Sequence, residues 1–320
     1  MVLRMFVRRC VSVCVLGLLL GACGAEEPPV DDSPLPPPGL GEGFQLSATT
    51  TAPAGEEVWR CVVYDAPNDQ WEMVNRVESI QNDAMHHMNV VALSLTDVSL
   101  EPGDYDCNAL YEEHPELMDA MIIYASQAET QNLTLPSGVG ANLPPNIRIM
   151  HEMHLVNTTE QDLDVFSYIN AYSADPTTIE ETIWGGGVRD LNLNIPANAE
   201  HSEWTRCVMN EPVDIVFLSS HTHALGVEVS IRLFDGDEVG EQVYVNHDWH
   251  SPYLKSFAEL PLHIPAGTGF EFTCKFNNPF DEPITYGFAA ADEMCTMAMV
   301  FTPGQASRTC SPVSSSDGVL

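Results

Sequence analysis

Basic side chains are scarce in this sequence: 320 residues carry 12 Lys+Arg against 46 Asp+Glu, a formal charge of −34. So acidic a surface repels phosphate backbones and anionic lipid head groups, which excludes nucleic acid as a partner. It attracts cations, metal ions and amines among them, although solubility in a saline habitat is the simpler cause. Long apolar runs are missing too. Val11 to Leu20 is apolar but too short to cross a bilayer as a mature helix. Helical periodicity is sparse, and Pro115 to Ala125 is the best stretch for a helix. No CxxC occurs, so zinc knuckles and thioredoxin-type redox motifs are excluded.

The N-terminus reads as an export signal. Arg4, Arg8 and Arg9 precede the apolar run, and Leu20-Gly21-Ala22-Cys23 resembles a bacterial lipobox with Cys23 as the lipidated mature terminus. An ordinary secretory signal cut nearby is the alternative, and either one exports the chain. Residues 1–22 are then a signal peptide, and 23–43 a Pro-rich acidic tether stiffened by Pro36-Pro37-Pro38. Losing three arginines leaves 9 Lys+Arg against 46 Asp+Glu, or −37. The expected product is a monomeric lipoprotein of the bacterial cell envelope, periplasmic or surface, touching membrane only through its lipid. Cys10 and Cys14 lie in the signal, which leaves Cys61, Cys107, Cys207, Cys274, Cys295 and Cys310. An even number in an exported chain implies disulfides, with fifteen possible pairings.

Short β-branched or aromatic runs dominate the remainder. Glu57 to Tyr64, His86 to Leu93, Ile147 to Val156, Asp164 to Tyr172, Val213 to Ser220, Val227 to Phe234 and Phe270 to Phe276 read as strands. Turns at Pro67-Asn68, Pro102-Gly103, Pro136-Ser137-Gly138 and Asp235-Gly236 bound them. The fold expected is all-β, built of β-sandwiches. Gly185-Gly186-Gly187 marks a boundary between two halves, or else a bulge-rich turn within one domain. That gives domains at 44–185 and 186–310, with a Ser-rich flexible tail over 311–320.

Three separated patterns carry metal-ligand chemistry. They are His86-His87-Met88, Met153-His154, and His221-Thr222-His223 completed by Met294. His221 and His223, at i and i+2, leave one face of a strand together. An isolated HxH is nevertheless incidental more often than not. Adjacent His86 and His87 point to opposite faces of a regular strand, so shared ligation needs a strand end, a bulge, or different ring nitrogens. Alone they read as a surface pair. His151 and His154 also point apart, and His154 is the ligand candidate. His114, His151, His201, His247, His250 and His263 are assigned solvated or hydrogen-bonded roles. Methionine sulfur is a soft, neutral ligand that suits Cu(I) and contributes little to zinc sites, so five His plus Met294 point to copper.

Taken together the motifs resemble the copper type II, ascorbate-dependent monooxygenases, the family of peptidylglycine α-hydroxylating and dopamine β-monooxygenases. The matching pieces are His86-His87-Met88, Leu135-Pro136-Ser137-Gly138-Val139-Gly140, Glu152-Met153-His154-Leu155, His221-Thr222-His223-Ala224-Leu225-Gly226 and Asp292-Glu293-Met294-Cys295. They span roughly residues 55 to 310 in the family's order. The resemblance implies two tandem antiparallel, jelly-roll-like β-sandwiches, each holding one copper and facing the other across a solvent-filled cleft. His86, His87 and His154 would form an electron-transfer site. His221, His223 and Met294 would form the catalytic oxygen-binding site. It also implies disulfides Cys61–Cys107, Cys207–Cys310 and Cys274–Cys295; cysteine as a copper ligand is the rival reading.

The function implied is that of an exported monooxygenase that hydroxylates an aliphatic C–H of a small molecule. It would use two coppers, O2, and ascorbate or another reductant as co-substrate. Two departures bear on the substrate. Where peptide-hydroxylating members hold a carboxylate with Arg, Asn and Tyr, this chain has Ser219, Thr296 and Ala298, a smaller neutral wall. An apolar or amine-bearing substrate is therefore expected over a carboxylate. Glu152 replaces a family Gln two residues before the third His and would favour Cu(II). The alternatives are a non-catalytic copper-binding envelope lipoprotein and, more weakly, a zinc hydrolase in which Met294 has no role.

Overall fold

Val, Ile, Thr and aromatic residues form strands wherever alternate side chains find a common core, and among the described residues four larger sheets and one two-stranded ribbon arise in this way. The computed structural model describes residues 33–318 apart from 66, 83, 94, 95 and 97. The signal segment and Cys23 lie outside the described residues. Strands are numbered in chain order. The first sheet runs β1 (Gly43–Ala52), β10 (Leu163–Ala174), β3 (Glu72–Gln81), β8 (Val139–Leu143), β11 (Glu181–Thr182), with β7 (Thr130–Thr134) also on β3. The second runs β5 (Gly103–Asp106), β2 (Glu57–Tyr64), β9 (Ile149–Val156), β4 (Met85–Ala92), β6 (Ile122–Ser126). Leu46, Val74 and Ile169 of the first meet Val90 and Ile149 of the second, which makes a sandwich.

A second sandwich follows. Its third sheet runs β12 (Trp184–Arg189), β22 (Thr296–Thr302), β15 (Val213–His221), β18 (Lys255–Ser256), with β19 (Leu262–Ile264) on β15. The fourth runs β17 (Val239–Asn246), β16 (Gly226–Phe234), β20 (Gly269–Asn278), β14 (Ala199–Met209), β23 (Cys310–Ser315). A short ribbon pairs β13 (Asn194–Ile195) with β21 (Ile284–Thr285). Leu218, Met297 and Val188 face Ile231, Phe270 and Phe272 across its core. Burial of each such side chain contributes roughly 1.5–3 kcal/mol. A smaller apolar seam joins Leu135 of the first sandwich to Val216 and Phe217 of the second.

All seven strands read from the sequence are present, within a few residues at each end. The three disulfides form as the resemblance implied: Cys61–Cys107, Cys207–Cys310 and Cys274–Cys295. Four expectations need correction. Gly185, Gly186 and Gly187 are neither the boundary itself nor a bulge-rich turn but lie within β12, in register opposite Val300, Met299 and Ala298. Strand pairing changes sandwich between Thr182 and Trp184 instead. Residues 311–315 of the expected tail continue β23, held on β14 by register and by Cys207–Cys310. Within the expected tether, Leu35 and Pro36 carbonyls accept hydrogen bonds from Gln45 and Asn170, which satisfies polar groups at the sheet edge. The helix falls earlier, at α1 (Cys107–Glu113), because Asp106 accepts from the Ala109 N–H as its N-cap and Cys107 is disulfide-bonded. Pro115 then starts only a short 3-10 turn.

Candidate metal centre

β4 and β9 are neighbours, and their register places His87 opposite His154. One extra residue interrupts that register between Met85 and His87. His86 is the residue at this bulge, so both adjacent histidines reach one side, as shared ligation requires. The ring centroids of His86, His87 and His154 lie 4.9–5.0 Å apart. In the other sandwich His221 closes β15 and His223 follows it, with ring centroids 5.1 Å apart. Gly226 is needed just beyond: a Cβ there would stand 2.2 Å from the Thr222 hydroxyl oxygen.

The two groups touch. His86 lies 5.4 Å from His223 and 6.0 Å from His221, and His87 lies 5.5 Å from His221. Ring nitrogens of His86, His87 and His154 come within 4.8 Å of one another, as do those of His86, His221 and His223. The solvent-filled cleft expected between the groups is therefore closed here by direct ring contact. The apolar seam at Leu135 and Phe217 draws the two sheets together, and two side chains of the first sandwich bond to the second. Gln127 donates from Nε2 to the Trp249 carbonyl at 2.6 Å, and its Oε1 accepts from His221 Nδ1 at 3.0 Å. Glu57 accepts the Ala290 N–H at 3.0 Å and stands 2.7 Å from His154 Nε2.

These bonds decide which nitrogen of each ring keeps its lone pair. Proton donation from His154 Nε2 to Glu57 leaves Nδ1 free. His221 Nδ1 donates to Gln127 and His223 Nδ1 to the Asp292 carbonyl at 3.0 Å, which leaves Nε2 free on both. Glu152 Oε1 lies 3.7 Å from His87 Nε2, on the side away from Nδ1. His86 Nε2, His87 Nδ1, His154 Nδ1 and His223 Nε2 are all buried without a hydrogen-bond partner. Buried polar atoms are rarely left so, and unpartnered nitrogens gathered in two groups that share His86 fit metal binding.

Met294 is placed by Glu293. That carboxylate is wholly buried and accepts from the backbone N–H groups of His223, Leu225 and Met294 at 2.8–2.9 Å. Burial pushes it up to about 7 against the lowering effect of those donors. Cys295, bonded to Cys274, anchors the next position. In β22, Thr296 pairs with His221, so continuing the register sets Met294 opposite His223.

Trp59 packs edge-on to His154 at 4.7 Å, and Trp249 lies 5.9 Å from His86. Burial, and secondarily the neighbouring imidazoles, push His86 down to about 2 and hold His154 and His221 far below the usual histidine range. Glu152 stays below the carboxylate range: burial raises it, but bonds from His87, Tyr111 and Asn89 outweigh that. His151 is buried beside Ser167 Oγ at 3.1 Å and outside both groups. His114, His201, His247 and His263 each face a carboxylate, and His250 packs on Trp249. No sequence motif marks Glu57, Gln127, Trp59 or Trp249, and only the fold brings them to the rings.

Neutral buried histidines give a pH dependence with a definite sign. Below about pH 6.5 the unfolded chain binds protons that the folded chain, with His86 near 2 and His151 near 4, does not. Stability of the metal-free protein should therefore fall as pH drops from 6.5 towards 4. Urea midpoints measured in about 0.5 M salt, which screens the acidic surface, test this. A midpoint that holds or rises on acidification would mean that the rings protonate in the folded state or that the raised carboxyls, Glu293 first, outweigh them.

Residues 188–318 match the family model described as copper type II ascorbate-dependent monooxygenase, C-terminal domain. No curated protein matches the chain. Among solved structures, the PBSX exported protein XepA shows 7% identity and a TM-score of 0.23, covering 83% of this chain and 89% of that one. The infectious bursal disease virus VP2 subviral particle shows 12% identity and a TM-score of 0.17, covering 82% and 72%. Likenesses this slight carry no argument about function.

Proposed function

We propose, from the match of residues 188–318 to the C-terminal domain of the copper type II ascorbate-dependent monooxygenases, that this chain is an exported copper monooxygenase. It inserts one oxygen atom into an aliphatic C–H of a small organic substrate. In balance, R–H, O2, two electrons and two protons give R–OH and water, the electrons coming from ascorbate or another reductant. The supporting observation is the set of buried, unpartnered nitrogens on His86, His87, His154 and His223. His86, His87 and His154 would hold one copper; His221, His223 and Met294 would hold the other. Copper, when bound, supplies the one-electron steps that O2 chemistry needs and zinc cannot provide.

The chain's own residues do the positioning. Glu57 fixes the His154 tautomer, Gln127 that of His221, and the Asp292 carbonyl that of His223. Glu293 holds the backbone of His223 and Met294 together. Trp59 and Trp249 restrict water at the rings. The mature chain is proposed to be a monomer anchored at Cys23, and its three disulfides suit an oxidising compartment. A non-catalytic copper lipoprotein is the second reading, motivated by Glu152 behind His87, where a carboxylate favours Cu(II).

The expected result for purified, copper-loaded, dialysed protein is two coppers per chain and reductant-dependent O2 uptake. One copper, or zinc held in preference at both sites, would contradict the two-site reading. Two coppers without O2 uptake at any substrate concentration would favour the non-catalytic one.

A further inference from the structure

The second sandwich holds two buried acids that the copper chemistry does not use. Asp190 follows β12, and its backbone N–H donates to the Cys295 carbonyl at 3.0 Å. Glu203 and Thr205 stand two apart on the buried face of β14, in line with Cys207 and Met209. Asp190 is 4% exposed and Glu203 5%. The buried Thr205 hydroxyl donates to Asp190 Oδ2 at 3.4 Å, and the Asp190 and Glu203 carboxyls lie within hydrogen-bond reach of each other.

One oxygen of each acid is already engaged. Asp190 Oδ1 accepts the Asn192 N–H at 3.1 Å. Glu203 Oε1 accepts the Asn194 N–H at 3.3 Å and stands 2.7 Å from His201 Nε2. That leaves Glu203 Oε2 for the Asp190 side, and it is buried with no hydrogen-bond partner. Among the described residues, His201 is the one basic side chain paired with either acid. Burial, with the charge of Glu203 adding to it, pushes Asp190 up to about 6 against the bond from Asn192. Above that pH, Asp190 is ionised against a second carboxylate, and such a pair is relieved by a cation between the two.

We propose that Asp190, Glu203 and Thr205 form a calcium site in the second sandwich, the ion bridging the two carboxylates. The donors offered are all oxygen, which suits a hard cation. So dry a place suits calcium over magnesium, which dehydrates reluctantly. Water and backbone carbonyls complete the shell of about six to eight oxygens that calcium takes. The ion would tie the end of β12, the turn into β13 and β14 together beside the Cys274–Cys295 bridge. Glu203 is the register partner of Cys274, and Asp190 is bonded to the Cys295 carbonyl. Cys295 adjoins Met294, so calcium would stiffen the support of that segment. The site is separate from the histidines and does not depend on the monooxygenase reading.

The test is calcium titration of the full mature chain, copper-loaded and prepared free of calcium, at pH 7.5. About 0.5 M NaCl screens diffuse binding to the acidic surface. Calorimetry should show one calcium per chain with a Kd of roughly 0.1 mM, and 10 mM CaCl2 should raise Tm by about 5 °C or more. MgCl2 at the same concentration should give less than half that rise. Asp190→Asn and Glu203→Gln should each weaken calcium at least tenfold and lose most of the rise. Glu241→Gln, which removes an exposed charge from β17, should keep both. No single-site binding by the parent overturns the proposal, whether or not any variant folds. So does an equal rise in the parent and in Asp190→Asn, which would place calcium on the general acidic surface, or an equal rise with MgCl2. A parent that ignores calcium while Asp190→Asn alone raises its Tm would show instead that the two acids share a proton. Copper content measured on the same samples reports the histidine groups separately.

Discussion

Met294→Ile should abolish reductant-dependent O2 consumption while leaving about one copper bound per chain. Ile nearly preserves the volume of this buried side chain, which is 7% exposed, so the core should tolerate it. What it removes is the thioether that the register sets opposite His223, and with it the soft donor that would favour Cu(I) at that group. His86, His87 and His154 keep their free nitrogens, because Glu57 and the bulge in β4 hold them independently of residue 294. Their copper should remain and give an unchanged EPR signal. The backbone of residue 294 still donates to Glu293, so His223 stays in place. Turnover at the parent rate would remove Met294 from the mechanism. Loss of both coppers would show that the touching groups act as one centre in which His86 serves both.

The clustered histidines were legible because each sits in a short run whose pattern is local. Shared ligation by two adjacent histidines needed a strand end, a bulge or different ring nitrogens, and β4 has a bulge at His86. The HxH spacing would put both rings on one strand face; β15 ends on His221, so His223 is carried by the segment that follows it. The positioning residues were not legible, because their meaning comes from sheet neighbours far off in sequence. Gln127 reaches His221 over 94 residues and Glu57 reaches His154 over 97. The same holds for the fold. β12 carries three glycines with no side chain to signal burial, yet β22 supplies the pairing. The Ser-rich residues after Cys310 read as loop because their partners on β14 lie a hundred residues earlier.

The three disulfides should separate stability from site order. Removing Cys207–Cys310 as a paired Ala variant should cost about 4–5 kcal/mol, since it closes a loop of 103 residues in sequence separation. It also releases β23, the edge strand that covers β14. Removing Cys274–Cys295 should cost less, about 3 kcal/mol, because its loop spans only 21 residues. Function should rank the other way. Cys295 is fully buried and adjoins both Met294 and Thr296, whereas Cys310 is bonded at the far edge of the fourth sheet. The Cys274/Cys295 variant should therefore lose copper at the His221–His223 group while still folded, and the Cys207/Cys310 variant should keep it until it unfolds. Urea midpoints and copper content measured on the same samples test both orders. If the Cys274/Cys295 variant retains both coppers and full O2 uptake, the segment carrying Met294 is held by Glu293 and by strand pairing without help from the disulfide.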